Sequence, residues 1–232
     1  MGGFANNAPI VTDGLVFYVD AGNSKSYDGV SGGTTWTDLV GSNDGTLTNM
    51  ETNPANAGYV YDSGNGGQID FDGTDDIAES SVNPSVFSAG HDAYTVSYWV
   101  RYDSLGGFPT VLELRFGTSN QWSDYINADK LTAYPGSQVN ITNSILSIGT
   151  WYNFCVTISQ GPGNVFHAYI NGSLDKTGSW NRSHGTPTKY RIGGNIATRR
   201  FNGQIGTVSY YNRALSASEA LQNYNALKNR FI

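Results

Sequence analysis

One cysteine in 232 residues excludes an intrachain disulfide and leaves no thiolate set for a zinc-finger site. Its setting, Asn153-Phe154-Cys155-Val156-Thr157, reads as a strand in which Cys155 packs as a small hydrophobe. Charged residues are also scarce, 14% against about a quarter in an average soluble domain. No run of lysine or arginine exceeds the pair Arg199-Arg200, and the net charge is −6. Such a surface repels phosphate backbones, so nucleic acid is not an expected partner. No stretch approaches about 18 apolar residues, and no membrane insertion is expected. The opening Met1-Gly2-Gly3-Phe4-Ala5-Asn6-Asn7 lacks the charged and apolar regions of a secretory leader. Glutamate is rare too: Glu51, Glu79, Glu113 and Glu219 are the whole set, and no Glu-x-Asp-x-x-Glu pattern occurs. With no Gly-x-Ser-x-Gly, no His-Glu-x-x-His and three scattered histidines (His91, His167, His184), no catalytic constellation is legible, and an enzyme is not expected.

Aromatics at 13%, a hydrophobic fraction of 38% and 29 glycines describe a chain that fills a core with strands and turns rather than helices. Strand patterns run over Gly14–Asp20, Gly67–Asp72, Tyr94–Arg101, Thr110–Phe116, Trp151–Ile158, Val165–Ile170 and Gly203–Tyr211. Alternation places Val96, Tyr98 and Val100 on one face, and sets Glu113 and Arg115 opposite Leu112, Leu114 and Phe116. One buried face per strand is what two packed antiparallel sheets require. The expected fold is therefore an all-β antiparallel sandwich, a jelly roll, with one short C-terminal helix. Asn171-Gly172 after a strand is the pair a type I′ hairpin turn prefers. The helix, about residues 216–230, is announced by the capping box Ser216-Ala-Ser-Glu219 and an apolar stripe of Leu221, Tyr224, Leu227 and Phe231. Residues 1–12 are expected to be a flexible N-terminal arm, with one domain over 13–232.

Several segments, in order, resemble the LamG-like jelly-roll domains of the concanavalin A-like lectin/glucanase superfamily. They are Leu15–Gly22, Thr35–Leu39 leading to Gly45–Asn49, Phe71–Asp76, Tyr94–Val100, Gly149–Tyr152, Tyr169–Gly172, Phe201–Gly203 and Tyr211–Glu219. The tail Leu221–Phe231 is similar to those of LamG-like domains in structural proteins of tailed bacteriophages. The resemblance implies a virion protein, a capsid decoration or fibre, that partners other virion proteins as a homo-oligomer on the particle and touches host-surface glycans. Many relatives carry an acidic pair after the final Gly-x-Ile, where this chain has Gly206-Thr207; any calcium ligand at that position is absent.

Two groups of residues are candidate sites. Asp72, Asp75 and Asp76, in Asp70-x-Asp72-Gly-Thr-Asp75-Asp76, crowd carboxylates that either stay solvated in a turn or share a calcium ion, with Asp20 as a converging fourth ligand. Trp122, Tyr125, Tyr134 and Trp180 lie in polar, loop-like contexts, where flat rings serve sugar C–H faces, cap the sandwich edge or fill an oligomer interface. The function expected from these features is a non-enzymatic phage surface module for glycan or host attachment. The alternatives are a ligand-free structural cement and a free bacterial carbohydrate-binding module.

Overall fold

A computed structural model describes residues 8–28, 33–50, 66–80, 87, 93–116, 119–133, 138–159, 165–179, 187–195 and 198–232. Within them the strands are β1 (Leu15–Asp20), β2 (Thr35–Trp36), β3 (Gly45–Thr48), β4 (Ile69–Asp72), β5 (Ile77–Ser80), β6 (Ala93–Tyr102), β7 (Leu112–Phe116) and β8 (Ser119–Asn127). Then come β9 (Lys130–Ala133), β10 (Val139–Asn140), β11 (Trp151–Ser159), β12 (Val165–Ile170), β13 (Ser173–Ser179), β14 (Lys189–Ile192), β15 (Asn202–Tyr211) and the helix α1 (Ala217–Phe231). A back sheet runs β1-β15-β6-β11-β12-β13, with β4 also on β15, and a front sheet runs β10-β9-β8-β7-β14-β5-β3-β2. The pairings are antiparallel. This is the expected sandwich with its C-terminal helix.

The alternation read from the sequence holds. Tyr94, Val96, Tyr98 and Val100 of β6 meet Leu112 and Leu114 of β7 and Tyr190 of β14 in one core cluster. Cys155 lies on the other face of the back sheet, buried with Tyr169 and Tyr211; burial pushes its thiol up to about 12, so it is inert as a nucleophile.

The back sheet is covered on its outer side as well. Ser216 and Glu219 form the capping box, and Arg213 grips the same glutamate, which with the cap holds its carboxyl down at about 2. The apolar stripe is partly corrected, because Leu221 is exposed and Ala220 and Asn223 take the buried positions. Phe231 stacks on Trp99 with centroids 4.7 Å apart and packs against Trp151. A Cβ on Gly206 would lie 2.4 Å from the Phe231 ring. The absence of a side chain at Gly206 is thus what lets the helix dock.

The flexible-arm boundary is also corrected. Val11 is buried; its N–H donates to Asn223 Oδ1 at 2.8 Å and its carbonyl accepts from the Tyr211 hydroxyl at 3.0 Å. Gln222 donates to the Pro9 carbonyl. Residues from Pro9 onward are therefore fastened to the helix, while residues 1–7 lie outside the described set.

Two hairpins close with two-residue turns in left-handed backbone. Asn171 and Gly172 have φ of 51° and 75° as expected, but Ala128 and Asp129, between β8 and β9, have 49° and 58° with no glycine to announce them. A Cβ in that region costs about 1–2 kcal/mol. Ala128→Gly is accordingly expected to raise stability by ~1 kcal/mol, a shift of a few degrees in a calorimetric melt.

Candidate functional site

The back sheet carries α1 on its outer side; the outer face of the front sheet carries a polar row, of which Glu113 and Ser123 are fully buried. Register fixes what stands there. Thr46 of β3 pairs with Glu79 of β5, Glu79 with Arg191 of β14, Arg191 with Glu113 of β7, and Glu113 with Ser123 of β8. Each sits one residue from an inward apolar side chain, so the five form a polar row across five strands. Lys189 and Arg115 pair in the next row on the same face. Arg191 joins the two carboxylates, its Nε donating to Glu79 and its Nη1 to Glu113 Oε2 at 3.2 Å, and Lys189 also donates to Glu79.

The two glutamates are pushed apart. Burial works against the Glu79 anion, but hydrogen bonds from Lys189 and Arg191 outweigh it and hold this carboxyl below its usual range. Glu113 is fully buried, and desolvation lifts it above that range against the pull of Arg191 and Arg115. Among the described residues, neither Glu113 Oε1 nor Ser123 Oγ has a hydrogen-bond partner.

Beyond Ser123 the face ends in an aromatic rim. The Arg199 guanidinium lies over Tyr125, 4.4 Å from the ring centroid, and 5.5 Å from that of Phe108. Phe108 and Tyr125 meet edge to face at 5.9 Å. Phe108 is 47% exposed and holds φ at 59°, a backbone conformation that a bulky residue rarely adopts. Neither Phe108 nor Arg199 was among the sequence candidates. The run Gly106-Gly107-Phe108-Pro109 carried the signal of an irregular backbone; Arg199 carried none.

The proposed glycan-contact rings fare differently. Trp122 is fully buried on the inner face of β8, edge-on to Tyr94, and is corrected from a surface contact to a core residue. Tyr125 lies on the outer face of β8 but is buried, with Arg199 and Phe108 against it, so it supports the rim rather than presenting a bare ring. Tyr134 and Trp180 lie outside the described residues.

At the β4–β5 turn, Asp72, Asp75 and Asp76 bring ligand oxygens within 4.8 Å of one another. Asp72 Oδ1 accepts the Thr74 N–H at 2.6 Å, and Asp76 Oδ2 accepts the Asp72 N–H at 2.8 Å. Asp76 Oδ1 is buried and has no partner among the described residues. Burial, with the charges of Asp72 and Asp75, pushes the Asp76 carboxyl up to about 7, although the Asp72 N–H opposes this. An orphaned anionic oxygen beside two further carboxylates fits a hard divalent cation. Asp20 does not join them. Both its oxygens accept from Arg230, at 2.7 and 2.9 Å, so the cation beside Asp20 is a guanidinium.

Elsewhere, a polar cleft of about 350 Å³ opens beside β2, lined by Ser24, Thr34, Thr35 and Thr37 with Lys25 and Asp28.

A helix-backed sandwich of two antiparallel sheets is the architecture of a lectin-type jelly roll. A sequence profile of the Concanavalin A-like lectin/glucanases superfamily matches residues 71–220, and the chain belongs to that superfamily. Among solved structures it is similar to a sialidase of Trypanosoma rangeli in complex with the inhibitor DANA (TM-score 0.69, 18% identity), over 98% of this chain and 35% of the sialidase. It is also similar to domain 4 of AbnA, a GH43 extracellular arabinanase of Geobacillus stearothermophilus, in complex with arabinotriose. There the TM-score is 0.66 and the identity 17%, over 90% of this chain and 98% of that one. The receptor-binding domain of botulinum neurotoxin type G gives 0.61 and 14%, over 91% and 51%. At these identities the likeness is one of fold, and the chain spans about a third of the sialidase. No curated protein matches the sequence.

Proposed function

We propose that the chain is a non-enzymatic glycan-binding module, displayed on a bacteriophage particle as a capsid decoration or fibre, where it meets virion proteins and further copies of itself. The observation that carries the glycan reading is the rim of the front sheet, where the exposed Phe108 ring and the Arg199 guanidinium stand together over Tyr125. Sugars offer apolar C–H faces edged with hydroxyls, and such a surface supplies partners for both. An arabinanase domain of the same fold was solved with arabinotriose, which supports the reading. The particle setting rests on the resemblance of Leu221–Phe231 to phage structural proteins. Many copies on one particle would turn weak sugar contacts into useful avidity.

A glycan array run with calcium and again with chelator tests the binding half. Reproducible signal supports it, and a blank array under both conditions moves the reading to a structural cement. Immunogold labelling of purified particles tests the location, and unlabelled particles would overturn it.

A second reading, glycoside hydrolysis, is favoured by the opposed shifts of Glu79 and Glu113, since acid and base roles go to carboxyls whose environments separate them. Against it, Arg191 stands between the two and neutralises both, leaving no open gap for a sugar or a water. Release of reducing sugar from laminarin, lost in Glu113→Gln, would revive it.

Calcium at the acidic turn belongs to the same proposal. In chelator, the Asp76 contribution to folding stability is expected to be greatest at low pH and to fall as pH rises towards 7, because the folded state holds the Asp76 proton more tightly than the unfolded chain does, while Glu219 and Glu79 contribute with the opposite sign below about pH 4. The cost at pH 8 is of the order of 2–4 kcal/mol, and Asp76→Asn should remove it. Asp124, lifted to about 6 chiefly by burial, adds a dependence of the same sign that the variant retains. Calcium at pH 8 should raise the wild-type melting temperature and leave Asp76→Asn unmoved; titration calorimetry without heat in either protein would remove the ion.

A further inference from the structure

We propose that the polar cleft beside β2 is a second sugar site, one that takes a neutral, hydroxyl-rich sugar ring by hydrogen bonds rather than by stacking. The inference rests on the glycan-binding reading and adds to it a site and a class of sugar.

The walls of the cleft come from two stretches that are pinned together. One is the turn Asn23–Tyr27, where the N–H groups of Ser26 and Tyr27 donate to the Asn23 carbonyl at 2.8 and 2.9 Å. The other is β2, the end strand of the front sheet. The buried Ser26 joins them. Its carbonyl accepts the Thr37 N–H at 2.7 Å, while its hydroxyl donates to the Thr37 carbonyl at 2.6 Å and accepts the Asp20 N–H at 3.0 Å. Register then decides which backbone groups face the gap. The Leu47 N–H donates to the Thr34 carbonyl, so Thr34 belongs to a hydrogen-bonded pair with β3 and Thr35, opposite Thr46, to the next, non-bonded one. The N–H and C=O of Thr35 are therefore turned away from β3, to the side on which Thr37 meets Ser26.

What that side offers is uncommitted. Ser24, Lys25, Thr34 and Thr35 are exposed, and neither their side chains nor that of Thr37 is engaged by another described residue. Hydroxyls both donate and accept, as a sugar's own do, and a backbone N–H beside a C=O adds a donor and an acceptor at fixed positions. Among the described residues no aromatic ring lines the cleft, so the stacking that the rim provides has no part here. Lys25 and Asp28 bring one charge of each sign, and nothing in the lining asks for a charged ligand. The volume of about 350 Å³ stands at the small end of ligand sites, roughly 300–1,000 Å³, which suits a single ring. Because backbone hydrogen bonds fix both walls, little freedom is lost on binding. The cleft is also separate from the rim: β2 stands five strand spacings from β8, roughly 24 Å across the sheet.

The test follows the backbone amide signals of the isotope-labelled full chain by NMR during titration with methyl β-glucoside, methyl β-galactoside and methyl α-mannoside. At least one of them is expected to move the signals of Ser24, Lys25 and Thr35, with a Kd of about 0.1–10 mM, and to leave those of Phe108 and Arg199 in place. Raising salt from about 0.05 to 0.5 M should leave the affinity unchanged, and so should chelator. The double variant Ser24→Ala/Thr35→Val should lose about tenfold in affinity at an unchanged melting temperature, while Phe108→Ala keeps it. Shifts confined to the rim, or undiminished binding by the folded double variant, overturn the cleft and leave the glycan reading standing. The absence of any shift with all three glycosides, alongside a positive glycan array, has the same meaning. No shift together with a blank array removes both. Affinity that collapses at high salt overturns the neutral class.

Discussion

Trp122→Ala is expected to cost ~3–5 kcal/mol of folding stability, lowering the melting temperature by roughly 10 °C in a domain of this size. Trp122 is fully buried, beside Leu114 in register and edge-on to Tyr94 with centroids 6.3 Å apart. Truncation removes a large ring from between the two sheets and leaves a cavity the surrounding strands cannot close. Chemical denaturation with the slope unchanged would read the loss directly. A tryptophan exposed for sugar contact would behave in the opposite way, changing stability by less than about 0.5 kcal/mol while abolishing binding. That outcome would return Trp122 to the surface and break the assignment of the inner face of β8.

Arg230→Ala should be nearly as damaging, at ~3–5 kcal/mol. Arg230 reaches from the last turn of α1 to both oxygens of Asp20 and to the Gly66 carbonyl. Asp20 is the more deeply buried partner, so removing the arginine strands a carboxylate whose other donors are the Tyr18 hydroxyl and the Gly22 N–H. Asp20→Asn should cost less, because the guanidinium retains some access to water. A double-mutant cycle combining Arg230→Ala with Asp20→Asn is expected to show coupling of at least about 1 kcal/mol. Strict additivity would mean that the pair is incidental to helix docking.

Much of the sandwich was readable from residues with simple alternation. β6 and β11 carry apolar side chains at every second position, and β12 lies where its pattern placed it. β8 was misread as a loop for a definable reason. Its inner positions include Asp124, whose Oδ1 accepts the N–H groups of Val111 and Leu112 at 2.7 and 3.1 Å. A buried aspartate that accepts from backbone twelve and thirteen residues away looks like turn chemistry when only its neighbours are visible. That misreading placed Trp122 outside. The acidic turn was legible because its members are adjacent in the chain. Asp20 was assigned to it on charge alone, since its true partner lies 210 residues away. The polar row and the rim escaped notice for a related reason: Glu79, Arg191, Glu113 and Ser123 come from four strands, and only the order of strands in the sheet makes them neighbours.

The position of β15 carries a consequence for how the molecule is made. β1 pairs with β15, and so does β4, while β6 lies on its other side. A nascent chain emerging from the ribosome has synthesised residues 15–20 and 69–72 long before the strand that will receive them exists. Until residue 211 is available, the back sheet has a gap in its middle and two early segments with unsatisfied edges. Acquisition of the native state is therefore expected to wait for β15 and to be slow, dominated by loop closures of well over a hundred residues. Those waiting edges are the stretch of its biosynthesis in which a chaperone, or a wrong strand from another chain, has its opportunity.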